Sequence, residues 1–162
     1  MRRMATVTRL VTVVEIDDGG GFVGSAPTTG EPVRAEAVPG WAPVDPAPRR
    51  EDPRVMSLWA MHLAVLDDGR RLTLLDDRGW TESGPADIWQ HTSAEEIARY
   101  ARVVVGPDEP VEGQSAEDAE RNHWEHLATV LRRQGVAAEG RELAALPHDV
   151  ELGERLRTRL RV

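Results

Sequence analysis

Residues 55–81 read Val-Met-Ser-Leu-Trp-Ala-Met-His-Leu-Ala-Val-Leu-Asp-Asp-Gly-Arg-Arg-Leu-Thr-Leu-Leu-Asp-Asp-Arg-Gly-Trp-Thr, and this stretch decides the fold. Three apolar runs in it are separated by two turn signals, Asp67-Asp68-Gly69 and Asp77-Arg78-Gly79, in which glycine supplies the positive φ of a tight turn. Apolar runs between such turns are typical of antiparallel strands. The pattern therefore predicts a three-stranded meander at about 55–82.

The residues on either side of the meander predict one or two strands before it and helices after it. Thr6–Ile16 is rich in valine and threonine, which favour extended backbone, and residues 32–38 alternate apolar and polar residues like a short edge strand. Helical patterns follow Ser93 and Ser115, whose hydroxyls are suited to cap a first turn. We therefore predict a single α+β domain over residues 1–162. Its sheet is expected to be mainly antiparallel, with the N-terminal strand beside the meander, and to be covered on one face by three or four C-terminal helices.

Two further segments are less regular in pattern. Residues 39–53 contain five prolines, a composition that cannot bury a face and predicts an extended or mobile segment. Near the C-terminus, Asp149 is placed to cap a last helix that runs to Leu160. Residues 155–162 also alternate as a strand would, so both interpretations stay open, and a leucine stripe that begins at Leu152 favours the helix.

The composition argues against several classes of partner. The chain has 28 acidic residues and 20 basic residues, all arginine, and its net charge of −8 would repel a phosphate backbone, so we expect no nucleic-acid partner. The absence of cysteine excludes disulfides and zinc thiolates and is typical of a reducing cytoplasm, where we expect the protein to act. No run approaches the ~20 apolar residues that span a bilayer, so we expect no membrane partner.

The motifs of common cofactor and nucleophile sites are incomplete. Residues 19–24 match the glycine pattern of dinucleotide-binding loops, but the residues that follow include Pro27 and cannot begin the helix that would hold a pyrophosphate. We interpret this segment as a loop and predict no cofactor. The aspartate pairs Asp67-Asp68 and Asp76-Asp77 are interpreted as turn residues at opposite ends of one strand. No G-x-S-x-G motif occurs, and without lysine there is no P-loop, which favours a protein that is not an enzyme.

Two histidines on the long helix after Ser115 are the candidate metal ligands. His123 and His126 lie three residues apart, a spacing that makes two side chains neighbours on a helix surface. Zinc requires further ligands, which His62, His91, His148 or loop carboxylates would have to supply. The competing interpretation places His123 at the edge of the helix's apolar stripe and His126 in solvent.

A connection after the meander holds the candidate cleft residues. Trp89 and His91 stand in a short segment between the last predicted strand and the first capped helix, with Asp87 just before them. An indole in such a connection is suited to line a cleft, and a nearby imidazole and carboxylate are groups that can act as acid and base.

Three hypotheses of function follow. The favoured one is a non-enzymatic binding protein with a protein partner or with itself as a homo-oligomer, because residues 82–162 hold 16 acids against 10 arginines, a net charge of −6 that suits a basic partner. An immunity protein that neutralises a toxin would have such features. The second is a small hydrolase or transferase with its cleft near Trp89 and His91, and the third is a metal-binding protein that uses His123 and His126.

Overall fold

The computed structural model describes residues 5–18 and 52–162. Within them the elements follow in the order β1 (Val7–Ile16), β2 (Val55–Leu66), β3 (Arg71–Ser83), a 3-10 turn (Ile88–His91), α1 (Ala94–Val104), α2 (Ala116–Arg133), α3 (Gly140–Ala144), β4 (His148–Leu152) and α4 (Glu154–Leu160). The fold is α+β. The glycine-rich loop at 19–24, the predicted strand at 32–38 and residues 39–51 of the proline-rich segment lie outside the described residues.

The four described strands form one mixed sheet in the order β3-β2-β1-β4. β2 pairs antiparallel with both of its neighbours, whereas β4 lies parallel to β1, with Thr12 opposite Val150. The prediction of a mainly antiparallel sheet is therefore wrong at this edge. Its cause is that α1, α2 and α3 carry the chain across before β4, and a long crossover of this kind permits parallel pairing.

The stretch that decides the fold forms a two-stranded hairpin instead of a three-stranded meander. The first turn is confirmed, since Gly69 has a φ of 84°. The second predicted turn is wrong because residues 76–79 lie inside β3. Ala60 pairs with Arg78 and His62 pairs with Leu75, so two residues of β3 oppose the single Met61, which is a bulge.

The two capped helices are confirmed. Ser93 accepts a hydrogen bond from the Glu96 amide while the Glu96 carboxylate accepts one from the Ser93 amide, and this reciprocal pair starts α1. Ser115 accepts from the Asp118 amide in the same way at the start of α2. The last predicted helix is wrong over residues 149–152, which belong to β4, and is confirmed over 155–160.

One hydrophobic cluster joins the sheet to the helices. Its members on β2, from Met56 to Leu66, occupy even-numbered positions, and Leu10 and Val14 are four residues apart on β1, so they lie on one face of the sheet. Helix members pack among them: Ile97, Ala101, Leu127, Ala128, Leu131, Leu143 and Leu156. This arrangement fixes α1 and α2 on the face where the two clefts described below are found.

The start of α4 is tied to β1 by a carboxylate. Glu15 accepts hydrogen bonds from its neighbour Ile16 and from the amides of Arg155 and Leu156, at 2.8, 3.3 and 2.9 Å. These amides belong to the first turn of a helix, where carboxylates are favoured acceptors. Gly153 stands directly against this carboxylate, and a Cβ at that position would collide with its Oε2 and Cδ atoms.

We expect Gly153→Ala to displace Glu15 and to lower the free energy of unfolding by about 1–2 kcal/mol, the usual cost of a lost cap. The new Cβ would collide with the end of the Glu15 side chain. In a Glu15→Ala background, Gly153→Ala should therefore lower the free energy of unfolding much less. Urea unfolding of the two single variants and the double variant measures this coupling. If the double variant lost the sum of the stabilities lost in the two single variants, the contact between Gly153 and Glu15 would be contradicted.

Candidate functional site

The predicted cleft residues Asp87, Trp89 and His91 do not share one site. Trp89 packs against the core cluster, and the Arg159 guanidinium lies 5.4 Å from its ring centroid. Asp87 is exposed, with a φ of 62° and no side-chain cap to the 3-10 turn. His91, at the end of that turn, lines a cleft. The structure thus brings one of the three to a concave surface.

The cleft beside His91 is a cavity of about 100 Å³ that we name the Trp80 cleft. Its wall is shared by β2, β3, α1 and the end of the 3-10 turn, and comprises Met56, Trp80, Glu82, His91, Thr92, Glu96, Ile97 and Tyr100. Trp80 and Glu82 point to the same face because they are two residues apart on β3. Trp80 also packs against the hydrophobic cluster, and its alternation with Glu82 is the sequence signal for this wall of the cleft.

A larger concavity of about 420 Å³ lies between α2 and α3, and we name it the α2–α3 groove. It is lined by Glu117, Glu120, Arg121, Trp124, Glu125, Glu139, Gly140, Arg141 and Ala144. Gly140 brings the start of α3 against α2, where its N–H donates a hydrogen bond to the side-chain oxygen Glu125 Oε1 at 3.1 Å. Trp124 packs against the hydrophobic cluster, and its half-buried indole also forms part of this groove.

Acidic residues are concentrated where the groove begins. Residues 108–125 carry Asp108, Glu109, Glu112, Glu117, Asp118, Glu120 and Glu125 against Arg121 alone, which is seven acids and one base and accounts for −6 of the net −8. Three of these acids form ion pairs: Asp108 with Arg78, Asp118 with Arg121, and Glu125 with Arg132. Within the described residues, Glu117 and Glu120 form no ion pair and face the groove.

The two candidate metal ligands differ in environment. His126 is exposed, while His123 is half-buried and packs edge-on against Trp124, with ring centroids 5.2 Å apart. Burial, followed by the positive potential of Arg78, lowers the pKa of His123. Its Nε2 atom is buried and has no hydrogen-bond partner among the described residues. Across residues 5–18 and 52–162, no three histidine or carboxylate side chains are grouped so that they could hold a metal ion.

A polar cluster that the sequence did not reveal lies inside the core. The Thr12 hydroxyl is 2.9 Å from His62 Nδ1 and 2.7 Å from His148 Nε2, and both Thr12 and His62 are buried. A hydroxyl has one proton, so it donates to one imidazole and accepts from the other. Burial, followed by the positive potentials of His148 and His123, lowers the pKa of His62 from 6.5 to about 3. The cluster is therefore neutral near pH 7.

Comparison with protein families, with characterised proteins and with solved structures found no match to this chain. In the part of the chain that the structure describes, no helix has the length and apolar character needed to cross a bilayer. The arguments for function below rest on the geometry and charge of this chain alone.

Proposed function

We propose that this protein is a non-enzymatic binding protein that recognises a positively charged segment of a protein partner through the α2–α3 groove. The observation that carries the proposal is the pair Glu117 and Glu120, which face a 420 Å³ groove and have no ion-pair partner within the described residues. An arginine or lysine of the partner would supply the missing positive charges. Such pairing also speeds association, because opposite charges steer the encounter.

The indole of Trp124 adds a second type of contact to the groove. A guanidinium can stack on an aromatic face while it donates paired hydrogen bonds to a carboxylate. Trp124 and the two free glutamates occupy three successive turns of one helix face, at positions 117, 120 and 124. The groove therefore offers an aromatic surface next to carboxylates, which suits arginine better than lysine.

The groove lining supports binding rather than catalysis. It consists of glutamates, arginines, one tryptophan, glycine and alanine, with no serine, threonine or histidine. No hydroxyl, thiol or imidazole stands in that lining, so a nucleophile activated by a histidine is not present there. The carboxylates are exposed and two arginines lie among them, an arrangement that suits recognition of charge at a surface.

A second copy of this chain is the alternative source of positive charge. α4 and the residue that follows it carry Arg155, Arg157, Arg159 and Arg161 in alternate positions. If these arginines entered the groove of another copy, the contact would join two different surfaces and would propagate into chains rather than close as a dimer. Sedimentation of the protein over a range of concentrations separates this case from recognition of a different protein.

The proposal predicts that an arginine-containing peptide binds and that Glu117→Gln with Glu120→Gln weakens the binding by about tenfold, since hydrogen bonds to charged groups contribute roughly 1.5–3 kcal/mol. The probe is a fluorescent peptide of alternating arginine and glycine, measured by anisotropy, and its citrulline counterpart has the same shape without charge. Asp76→Asn with Glu95→Gln is the matched control, because it removes two exposed carboxylates elsewhere.

Two results would overturn the proposal. The first is equal binding of the arginine and citrulline peptides. The second is an equal loss of affinity in the control variant, which would show that the peptide responds to net charge and not to the groove. Weaker binding at higher salt is expected in every variant that still binds the peptide.

A further inference from the structure

The Trp80 cleft has an aromatic pair at its mouth. Trp80 of β3 and Tyr100 of α1 stack with ring centroids 6.4 Å apart and planes inclined by 27°. Tyr100 is 46% exposed, a high value for a large aromatic side chain. The faces of these rings carry the negative part of the ring quadrupole, so they attract organic cations.

Two carboxylates stand in the same cleft. Glu82 is half-buried, and within the described residues its carboxylate forms no hydrogen bond and no ion pair. Glu96 is fixed by the α1 capping box, where hydrogen bonds from Ser93 hold its pKa below the usual value, so it stays ionised near pH 7. A partly desolvated carboxylate without a partner is unfavourable, and a cation that enters the cleft would provide one.

The size of the cleft limits what it can hold. A cavity of about 100 Å³ accommodates one small head group and not a whole metabolite of drug size. Met56 and Ile97, both buried, form its apolar wall, which suits the methylene groups that lead to a charged head. The chain already places one guanidinium over the ring of Tyr100, since the Arg99 guanidinium lies 5.8 Å from its centroid. Arg99 is not among the residues that line the cleft.

We propose that the Trp80 cleft binds a single organic cation, an alkylammonium or guanidinium group, between the Trp80–Tyr100 pair and the Glu82 and Glu96 carboxylates. The group comes either from a small molecule or from a lysine or arginine side chain, and the chemistry of recognition is the same. This site shares no residue with the α2–α3 groove, so it stands or fails independently of the function proposed above.

The test is a titration of the full-length ¹⁵N-labelled protein, followed through the indole N–H signal of Trp80. The cationic probes are choline, Nα-acetyl-lysine methylamide and Nα-acetyl-arginine methylamide. The neutral probe is Nα-acetyl-norleucine methylamide, which keeps the methylene chain and lacks the charge. We expect saturable shifts with a dissociation constant on the order of a millimolar for at least one cation, and binding at least tenfold weaker for the neutral probe. Tighter binding of choline identifies a small-molecule ligand, and tighter binding of the amino-acid probes identifies a side chain.

Two variants assign the binding to the cleft. Glu82→Gln keeps the shape and removes the charge, and Tyr100→Leu removes a ring that is largely exposed, so both are expected to fold. Each should weaken the binding of the cation about tenfold. Glu117→Gln with Glu120→Gln, in the other groove, should leave it unchanged. Absence of a saturable shift, equal binding of the neutral probe, or unchanged affinity in Glu82→Gln would overturn the inference.

Discussion

Lowering the pH from about 7 to about 4.5 is expected to reduce the free energy of unfolding by about 2 kcal/mol through His62 alone. The side chain is 1% exposed and contacts Thr12, and its pKa in the folded protein is lowered to about 3. In the unfolded chain the same imidazole titrates near its ordinary value of 6.5. Between these two pKa values the unfolded state binds a proton that the folded state does not.

The direction of the effect follows from this difference in protons. When the pKa of a histidine is lower in the folded protein, the free energy of unfolding is highest at pH values above the unfolded pKa, because the imidazole is then neutral in both states. As the pH falls below 6.5, protonation stabilises only the unfolded state, and the stability falls by about 1.4 kcal/mol for each pH unit until the folded pKa is reached. His148 and His123 also have lowered pKa values through burial, so they add losses of the same sign.

The charged groups around the cluster set how much each imidazole contributes. Arg102 from α1 lowers the pKa of His148, and Asp149, its neighbour on β4, opposes that shift. Arg78 from β3 lowers the pKa of His123, and Asp108, which pairs with this arginine, opposes it. Asp149 and Asp108 therefore limit the losses from His148 and His123, and burial is the largest cause of the lowered pKa in all three histidines.

Chemical denaturation at several pH values between 5 and 7 measures the effect apart from the carboxylates. The acids with lowered pKa values, such as Asp108 and Glu151, lose their stabilising pairs only at lower pH. His62→Asn retains a polar group beside Thr12 and should reduce the pH slope by up to about 1.4 kcal/mol per unit. His126→Asn removes an exposed histidine and serves as the control for histidine replacement. A His62→Asn variant with the slope of the wild type would refute the assignment.

The parts of the fold that the sequence predicts are those that depend on neighbouring residues. Ser93 with Glu96 and Ser115 with Asp118 are three residues apart, so the caps of α1 and α2 follow from local chemistry. The first hairpin turn is local in the same sense, because Gly69 alone supplies its positive φ. Each of these predictions is confirmed.

The predictions fail where the conformation of a residue depends on contacts with residues that are distant in the sequence. Gly79 was interpreted as a turn residue, but its Cβ would lie 2.6 Å from the Leu58 carbonyl oxygen of the neighbouring strand, so close backbone contact accounts for the glycine. β4 has five residues, and its pairing with β1 spans more than a hundred residues of sequence. The leucine stripe keeps its helical spacing in α4, but Leu152, with which it begins, pairs in β4, where tertiary pairing overrides the local pattern.

The candidate sites also depend on tertiary contacts. Tyr100 and Trp80 are 20 residues apart on different elements, so no motif connects them. The α2–α3 groove requires two helices to meet. The density of acids at 108–125 was visible in the sequence, which is why a basic partner could be expected while its docking position could not.

Gly140→Ala is expected to lower the free energy of unfolding by about 2 kcal/mol and to disturb the α2–α3 groove. An added Cβ would lie 2.6 Å from Glu125 Oε1, 2.9 Å from Glu125 N and 3.0 Å from Trp124 C. Gly140 is the first residue of α3, where alanine is favoured over glycine by up to about 1 kcal/mol on backbone grounds. A net loss of stability must therefore come from crowding against α2.

The comparison with Glu125→Ala decides which atoms are responsible. Two of the three close contacts are to backbone atoms of α2, so removing the Glu125 side chain should restore little of the stability lost in Gly140→Ala. This is the opposite of the outcome expected for Gly153 with Glu15, where the obstacle is a side chain. Gly113→Ala tests backbone strain without crowding, because its φ of 83° strains an alanine although no atom stands within 4 Å of the new Cβ, so its cost should not depend on Glu125. Urea unfolding gives the stabilities, and the anisotropy of the arginine peptide reports on the groove.

A stable Gly140→Ala variant that binds the peptide normally would show that α3 can move away from Trp124. The close contact of the two helices would then not be needed for recognition.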